Sequence, residues 1–168
     1  MARRTGLPAL RRGRGAWLLA ALASLLVGPC PALAQGTVSV LPVQGLRFGV
    51  LSSGIPTVIS PLDGSRRATI ELVGAGQVTV SFELPPALRA EGGALPLRFG
   101  PSDGRVTFPG SGRVLVFDPA HPVSFTIPPG SGGATVHLGG SAEPGTRQPP
   151  GAYTGGITVT VVVANPAT

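Results

Sequence analysis

Cysteine, tryptophan and methionine are nearly absent from this chain of 168 residues, which contains one of each. All three lie in the first 34 residues, as Met1, Trp17 and Cys30. Without that segment the chain has no disulfide, no thiolate ligand for a metal and no cysteine nucleophile. Burial of apolar side chains must then stabilise the fold alone, and a chain of this size buries roughly two-thirds of its unfolded surface.

Charge is also scarce, because only 12% of the residues are charged. Five of the thirteen basic residues lie in residues 1–34, which leaves eight arginines against seven acidic residues in 35–168, a net charge of +1. These arginines are scattered along the chain, whereas a nucleic-acid partner requires a concentrated basic surface. The composition therefore argues against nucleic-acid binding.

The longest predominantly apolar segment, residues 16–27, is too short for a membrane-spanning helix, which needs about 20 residues. It follows an arginine-rich start and precedes Ala32-Leu33-Ala34, a small–x–small pattern that signal peptidase recognises. We predict a signal peptide over residues 1–34, with cleavage between Ala34 and Gln35. The expected location is the periplasm, the outer surface or the extracellular space, with no stable membrane span after cleavage.

Two other export routes remain open. Paired arginines near the start are also found in twin-arginine signals, and Cys30 lies where a lipoprotein cysteine could lie. The residues before Cys30, Gly28 and Pro29, do not resemble a lipobox, and no cofactor motif downstream requires export of a folded protein. The general secretory route is therefore favoured.

Period-two alternation of apolar and polar residues, bounded by Gly, Pro, Ser and Asp, recurs throughout residues 35–168 and predicts β-strands. In the clearest case, residues 78–84, the side chains of Val78 and Val80 share one face. The short connection at 74–76 predicts that this strand forms a hairpin with residues 68–72. We expect a single immunoglobulin-like β-sandwich of eight or nine short strands. The other candidate strands are 37–41, 46–50, 56–60, 95–99, 105–108, 113–117, 123–127, 134–138 and 157–163.

Three segments of the chain carry a recognisable pattern. An apolar–x–Phe–Gly step lies early in the chain, a glycine pair follows the candidate strand 134–138, and a P-x-G-x-Y-x-G segment precedes the last strand. Together with the predicted 68–84 hairpin, they resemble DUF 4402, a family of secreted bacterial domains whose nearest look-alikes are pilin-like and spore-coat-like β domains. The resemblance implies a structural role for Phe48, Gly49, Gly139, Gly140, Gly151, Tyr153 and Gly155.

The sequence offers few groups for catalysis. Residues 100–104 match the G-x-S-x-G pattern of hydrolases, but a predicted strand follows Ser102 where the nucleophile elbow requires a helix. His121 lies near Asp118 without a third partner, and His137 has the parity of the exposed face of its strand. We therefore predict no enzyme, no metal site and no cofactor.

The expected function is that of an exported structural or adhesive protein, such as a pilin-like subunit, whose partners are other copies of itself or surface-assembly proteins. Val38 and Val40, in the alternating segment 37–41, could complete a neighbour's sheet by strand addition. The alternative is that this segment is the domain's own first strand. Two alternatives to this function are a monomeric module that binds a carbohydrate or protein, and a hydrolase that uses Ser102, which is the least favoured.

Overall fold

The computed structural model describes residues 37–164, which form strands and turns without a helix. The predicted signal peptide and its cleavage site at Ala34 and Gln35 lie outside the described residues. No helix in the described part is long and apolar enough to cross a bilayer. The predicted all-β class is confirmed for this range.

The described part of the chain contains twelve strands, more than the eight or nine expected. They are β1 (Ser39–Gln44), β2 (Thr57–Ile59), β3 (Ala68–Val73), β4 (Gly76–Glu83), β5 (Ala87–Ala90), β6 (Gly93–Arg98), β7 (Gly104–Thr107), β8 (Val114–Phe117), β9 (Val123–Ile127), β10 (Ala134–Leu138), β11 (Gly140–Ala142) and β12 (Thr158–Ala164).

The strands form three antiparallel sheets, with the orders β1-β3-β10-β7-β8, β2-β11-β6-β5 and β12-β4-β9. The five-stranded and three-stranded sheets contribute the alternate apolar residues of one core, which includes Leu72, Val80 and Val136. This arrangement is consistent with a β-sandwich. A second, smaller core beneath the four-stranded sheet contains Phe48 and Ile59.

The predicted hairpin between residues 68–72 and 78–84 is wrong. Both segments are strands, but β3 lies in the five-stranded sheet and β4 in the three-stranded sheet. The chain crosses between the sheets at Gly74, whose backbone has a positive φ of 138° and runs against the carbonyl oxygen of Thr37. Alternation shows which face of a strand is buried, and two strands can cover one core from opposite sheets as easily as side by side.

The strand pattern differs from expectation at three other places. Residues 46–50 are not a strand, although Phe48 is buried in the second core. Two short strands were not predicted: β5, which follows Pro85 and Pro86, and β11, which follows β10 after a single residue. Both segments lie beside proline or glycine residues, which are typical of turns, so the alternation of apolar and polar residues did not identify them as strands.

Gly139, the first residue of the glycine pair at 139–140, has a clear structural role. Gly139 separates β10 in the five-stranded sheet from β11 in the four-stranded sheet, and its N–H donates to the Asp103 carbonyl at 2.8 Å. A Cβ at this position would collide with the carbonyl oxygen of Ile59 and lie 2.9 Å from the backbone nitrogen of Pro61. The chain can therefore pass directly from β10 in one sheet to β11 in the other because residue 139 has no side chain.

Candidate functional site

Strand β1 is an edge strand whose residues 39–43 are exposed. Among the described residues it pairs with β3 alone, with Val40 opposite Leu72 and Leu41 opposite Glu71. Val38 immediately precedes this strand and is partly buried against the main core. The structure thus places both residues of the proposed strand-exchange segment in or beside the domain's own first strand.

The end of β1 is irregular. Its register with β3 shifts between Pro42 and Gln44, and Pro42 has no N–H to give to the ladder. The side chain of Gln44 donates to the Arg67 carbonyl at 2.7 Å and holds the end of the strand. The next residue, Gly45, has open space where a Cβ would be, so the chain leaves the sheet at an unhindered position.

A groove with a volume of about 350 Å³ separates the end of β1 from the residues that lead into β12. Its walls come from residues 42–46 and from Gly155, Ile157 and Val159, and Ile70 of the main core also lines it. We refer to it as the seam groove. It exposes apolar atoms between two strands that belong to different sheets.

A second cavity of about 880 Å³ adjoins the seam groove and shares four lining residues with it. Its walls are residues 46–51 on one side and residues 148–155 on the other, above the second core. Arg47 is its single charged lining residue. Five residues of the family-like pattern line this cavity, namely Phe48, Gly49, Gly151, Tyr153 and Gly155; the other two, Gly139 and Gly140, lie at the β10–β11 junction.

Tyr153 anchors the closing segment of the chain. Its hydroxyl donates to the Pro149 carbonyl at 2.7 Å and accepts from Nε2 of Gln148 at 2.6 Å. Gln148 also donates to the Ala94 carbonyl, at 3.2 Å, and so ties the segment to β6. Beside this anchor, a Cβ on Gly155 would lie 2.8 Å from the terminal methyl group of Leu88, so a larger residue here would require this side chain to move.

Removal of the tyrosine hydroxyl tests this anchor. We expect Tyr153→Phe to lower the free energy of unfolding by about 1–2 kcal/mol, because the ring remains while two hydrogen bonds are lost. Tyr153→Leu, which also changes the contacts with the second core, is expected to cost more. Urea unfolding of both variants measures these differences, and a Phe variant as stable as the parent would mean that the hydroxyl does not anchor the segment.

Ser102 lies in an exposed turn between β6 and β7, as predicted. Asp103 stabilises this turn by accepting the Gly100 N–H at 2.6 Å, and β7 begins directly at Gly104. The strand-to-helix elbow of a serine hydrolase is thus missing from this segment.

His121 is exposed, and its Nδ1 lies 3.2 Å from Oδ2 of Asp118. This pair was anticipated from the sequence, and it lies in the turn between β8 and β9. Within residues 37–164 no group of three potential metal-ligating side chains occurs.

The expectation that His137 is exposed is wrong, because only 5% of the residue is accessible. It faces away from the core, but β10 is the middle strand of five, and Thr69 and Arg105 lie directly beside it on the neighbouring strands. The Thr69 and Thr107 hydroxyls each lie 3.4 Å from one of its ring nitrogens. Burial first, and then the charges of Arg67 and Arg105, lower the pKa of His137 from 6.5 to about 4.

Comparisons with protein-family models, with curated proteins and with solved structures found no match for this chain. The likeness to DUF 4402 remains a prediction from the sequence.

Proposed function

We propose that the chain is an exported, non-enzymatic structural or adhesive protein, such as a pilin-like subunit, that assembles by exchange of β1 between copies. The proposal includes removal of residues 1–34 as a signal peptide, an immunoglobulin-like sandwich and membership of DUF 4402. The observation that supports it best is the state of β1, an exposed strand that pairs with β3 alone among the described residues.

Exchange replaces each contact of β1 by an identical contact in a second copy, so its energetic cost is confined to the connection that opens. That connection begins at Gly45, where no neighbouring atom lies near the missing Cβ. The edge of β3 already presents the acceptor register, since residues 39–42 lie opposite residues 70–73. A strand with five of its six residues exposed has few side-chain contacts to lose on opening.

A cysteine pair across β1 and β3 tests the exchange. Residues 35–168 contain no cysteine, so Leu41→Cys and Glu71→Cys can be placed singly in two otherwise identical chains. These residues lie opposite each other in the register, and both are exposed. When the two variants are co-expressed and exported, we expect disulfide-linked dimers that join one copy of each.

A matched control uses Arg89→Cys and Ala94→Cys, which lie opposite each other in the local β5–β6 pair. These variants are expected to give no mixed dimer, because a short hairpin does not separate. If the Leu41 and Glu71 variants also stay unlinked while the double variant in one chain forms its internal disulfide, β1 does not exchange and the proposal fails.

The second candidate function is a monomeric module that binds a carbohydrate or protein, and the cavity of about 880 Å³ favours it. The cavity has one cationic side chain, and the hydroxyl of Tyr153 is already occupied by Pro149 and Gln148. A monomeric protein without β1 exchange would direct the search for a ligand to this cavity.

A further inference from the structure

Strand β12 has a long free edge. It comprises seven residues, Thr158–Ala164, and pairs with β4 alone among the described residues. Its sequence, TVTVVVA, contains no charged residue, no proline and no glycine. Proteins usually protect an edge of this kind, because its unpaired backbone groups can pair with another chain.

The other edge strands are shorter or carry such protection. β1 contains Pro42 and a register shift, and β5 contains Arg89, which is bridged to Thr154. Strands β2 and β8 have three and four residues. β9 has five residues and is bounded by Pro122 and Pro128. Of the six edges in the described sheets, β12 is the longest and the least protected.

We propose that β12 pairs antiparallel with β12 of a second copy about a two-fold axis. The two three-stranded sheets then form one continuous sheet in the order β9-β4-β12-β12-β4-β9. This interface lies in a different sheet from β1 and does not depend on exchange of that strand.

The side chains of β12 suit a second copy as the partner. Because the strand has no charge, self-pairing places no like charges opposite each other. The inward-facing Val159, Val161 and Val163 are half-buried against the main core, and Val162 on the outer face is 58% exposed. A neighbouring strand would cover more of these valines and satisfy the free backbone groups.

The alternation of faces restricts the register. Directly opposite residues point to the same side of a sheet, so outer residues must meet outer residues. A two-fold axis at Val161 places Thr160 opposite Val162 of the second copy, and an axis at Thr160 or at Val162 places that residue opposite itself. Threonine–valine and valine–valine contacts are favourable cross-strand pairs.

Single cysteines distinguish these registers. We expect a disulfide-linked dimer from Thr160→Cys alone, from Val162→Cys alone or from a mixture of the two, depending on the axis. A cross-link between these positions reports on β12 alone, because exchange of β1 joins positions on the five-stranded sheet. Absence of all three cross-links under oxidising conditions would overturn pairing about the middle of β12, the arrangement that leaves the fewest of its seven residues unpaired.

A charge on the edge supplies the second test. The double variant Leu41→Cys/Glu71→Cys is first separated under non-reducing conditions, and only the fraction whose disulfide lies within one chain, which has β1 locked, is used. For this locked chain we expect a reversible dimer by sedimentation equilibrium. Val162→Lys should raise its Kd at least about tenfold, because it places a charge against the neighbouring strand and, with the axis at Val161 or Val162, also brings the two lysines close together. Val116→Lys on β8 is the matched control, because Val116 is 52% exposed on another edge strand.

Each outcome separates the two proposals. A locked chain that dimerises and loses its dimer only with Val162→Lys supports pairing through β12, whether or not β1 exchanges. A locked chain that is monomeric at every concentration, or equal weakening by both lysine variants, overturns it and leaves exchange of β1 untouched.

Discussion

Lowering the pH from 6.5 to 4 is expected to reduce the free energy of unfolding by about 3 kcal/mol through His137 alone. The folded protein holds this histidine neutral, with its pKa lowered to about 4 by burial and by the charges of Arg67 and Arg105. In the unfolded chain the imidazole binds a proton near pH 6.5. The proton therefore favours the unfolded state as the pH falls through this window, and above pH 6.5 the effect disappears.

Urea unfolding at a series of pH values measures this loss, and His137→Gln should remove it. The difference between parent and variant isolates His137 from the carboxylates. Among these, Asp63 titrates below the window, because hydrogen bonds from Ser65 and Arg66 lower its pKa to about 2. The same substitution at the exposed His121 is the control and should leave the loss in place. A parent whose stability falls no more steeply than that of His137→Gln would contradict the burial of this histidine.

Gly139→Ala is expected to lower the free energy of unfolding by about 3 kcal/mol, through overpacking rather than through backbone conformation. The new methyl group would meet the Ile59 carbonyl and Pro61, which belong to backbone and a proline ring and cannot rotate away. To relieve this steric clash, β2 or the β10–β11 junction would have to move. Such a movement would also disturb the hydrogen bond from the Gly139 N–H to the Asp103 carbonyl.

Gly156→Ala is the matched control, because a Cβ there meets no atom within 4 Å. We expect this variant to unfold within about 0.5 kcal/mol of the parent. Thermal and urea unfolding of both variants provide the comparison. Equal stability of the two alanine variants would show that the close approach of Gly139 to β2 is not present in solution.

The sequence predicted the strands better than it predicted their partners. Alternation located nearly all the longer strands and identified the buried face of β4, where Val78 and Val80 lie in the main core. Alternation failed where an apolar segment is buried without pairing to a neighbouring strand, as at Phe48. It also failed where a strand is as short as β11. Burial of alternate side chains is a local property of a strand, whereas pairing depends on residues far away in the chain.

The candidate sites show the same division. The turn at Ser102 and the pair formed by His121 and Asp118 could be read from neighbouring residues, and the structure agrees with both. The grouping of Phe48 with Tyr153 around one cavity could not be predicted in this way, because about a hundred residues separate them in the sequence.

By itself, the sequence determined that residues 37–164 form short strands stabilised without cysteine, because alternation and composition act locally along the chain. Only the tertiary structure decided that β3 and β4 lie in different sheets, that His137 is covered on both sides, and that β1 and β12 are left as edges. The physical reason is that hydrogen bonding between strands and burial of an outer face depend on which strands become neighbours. Which strands become neighbours depends on the packing of the whole core, and no single segment of the sequence determines it.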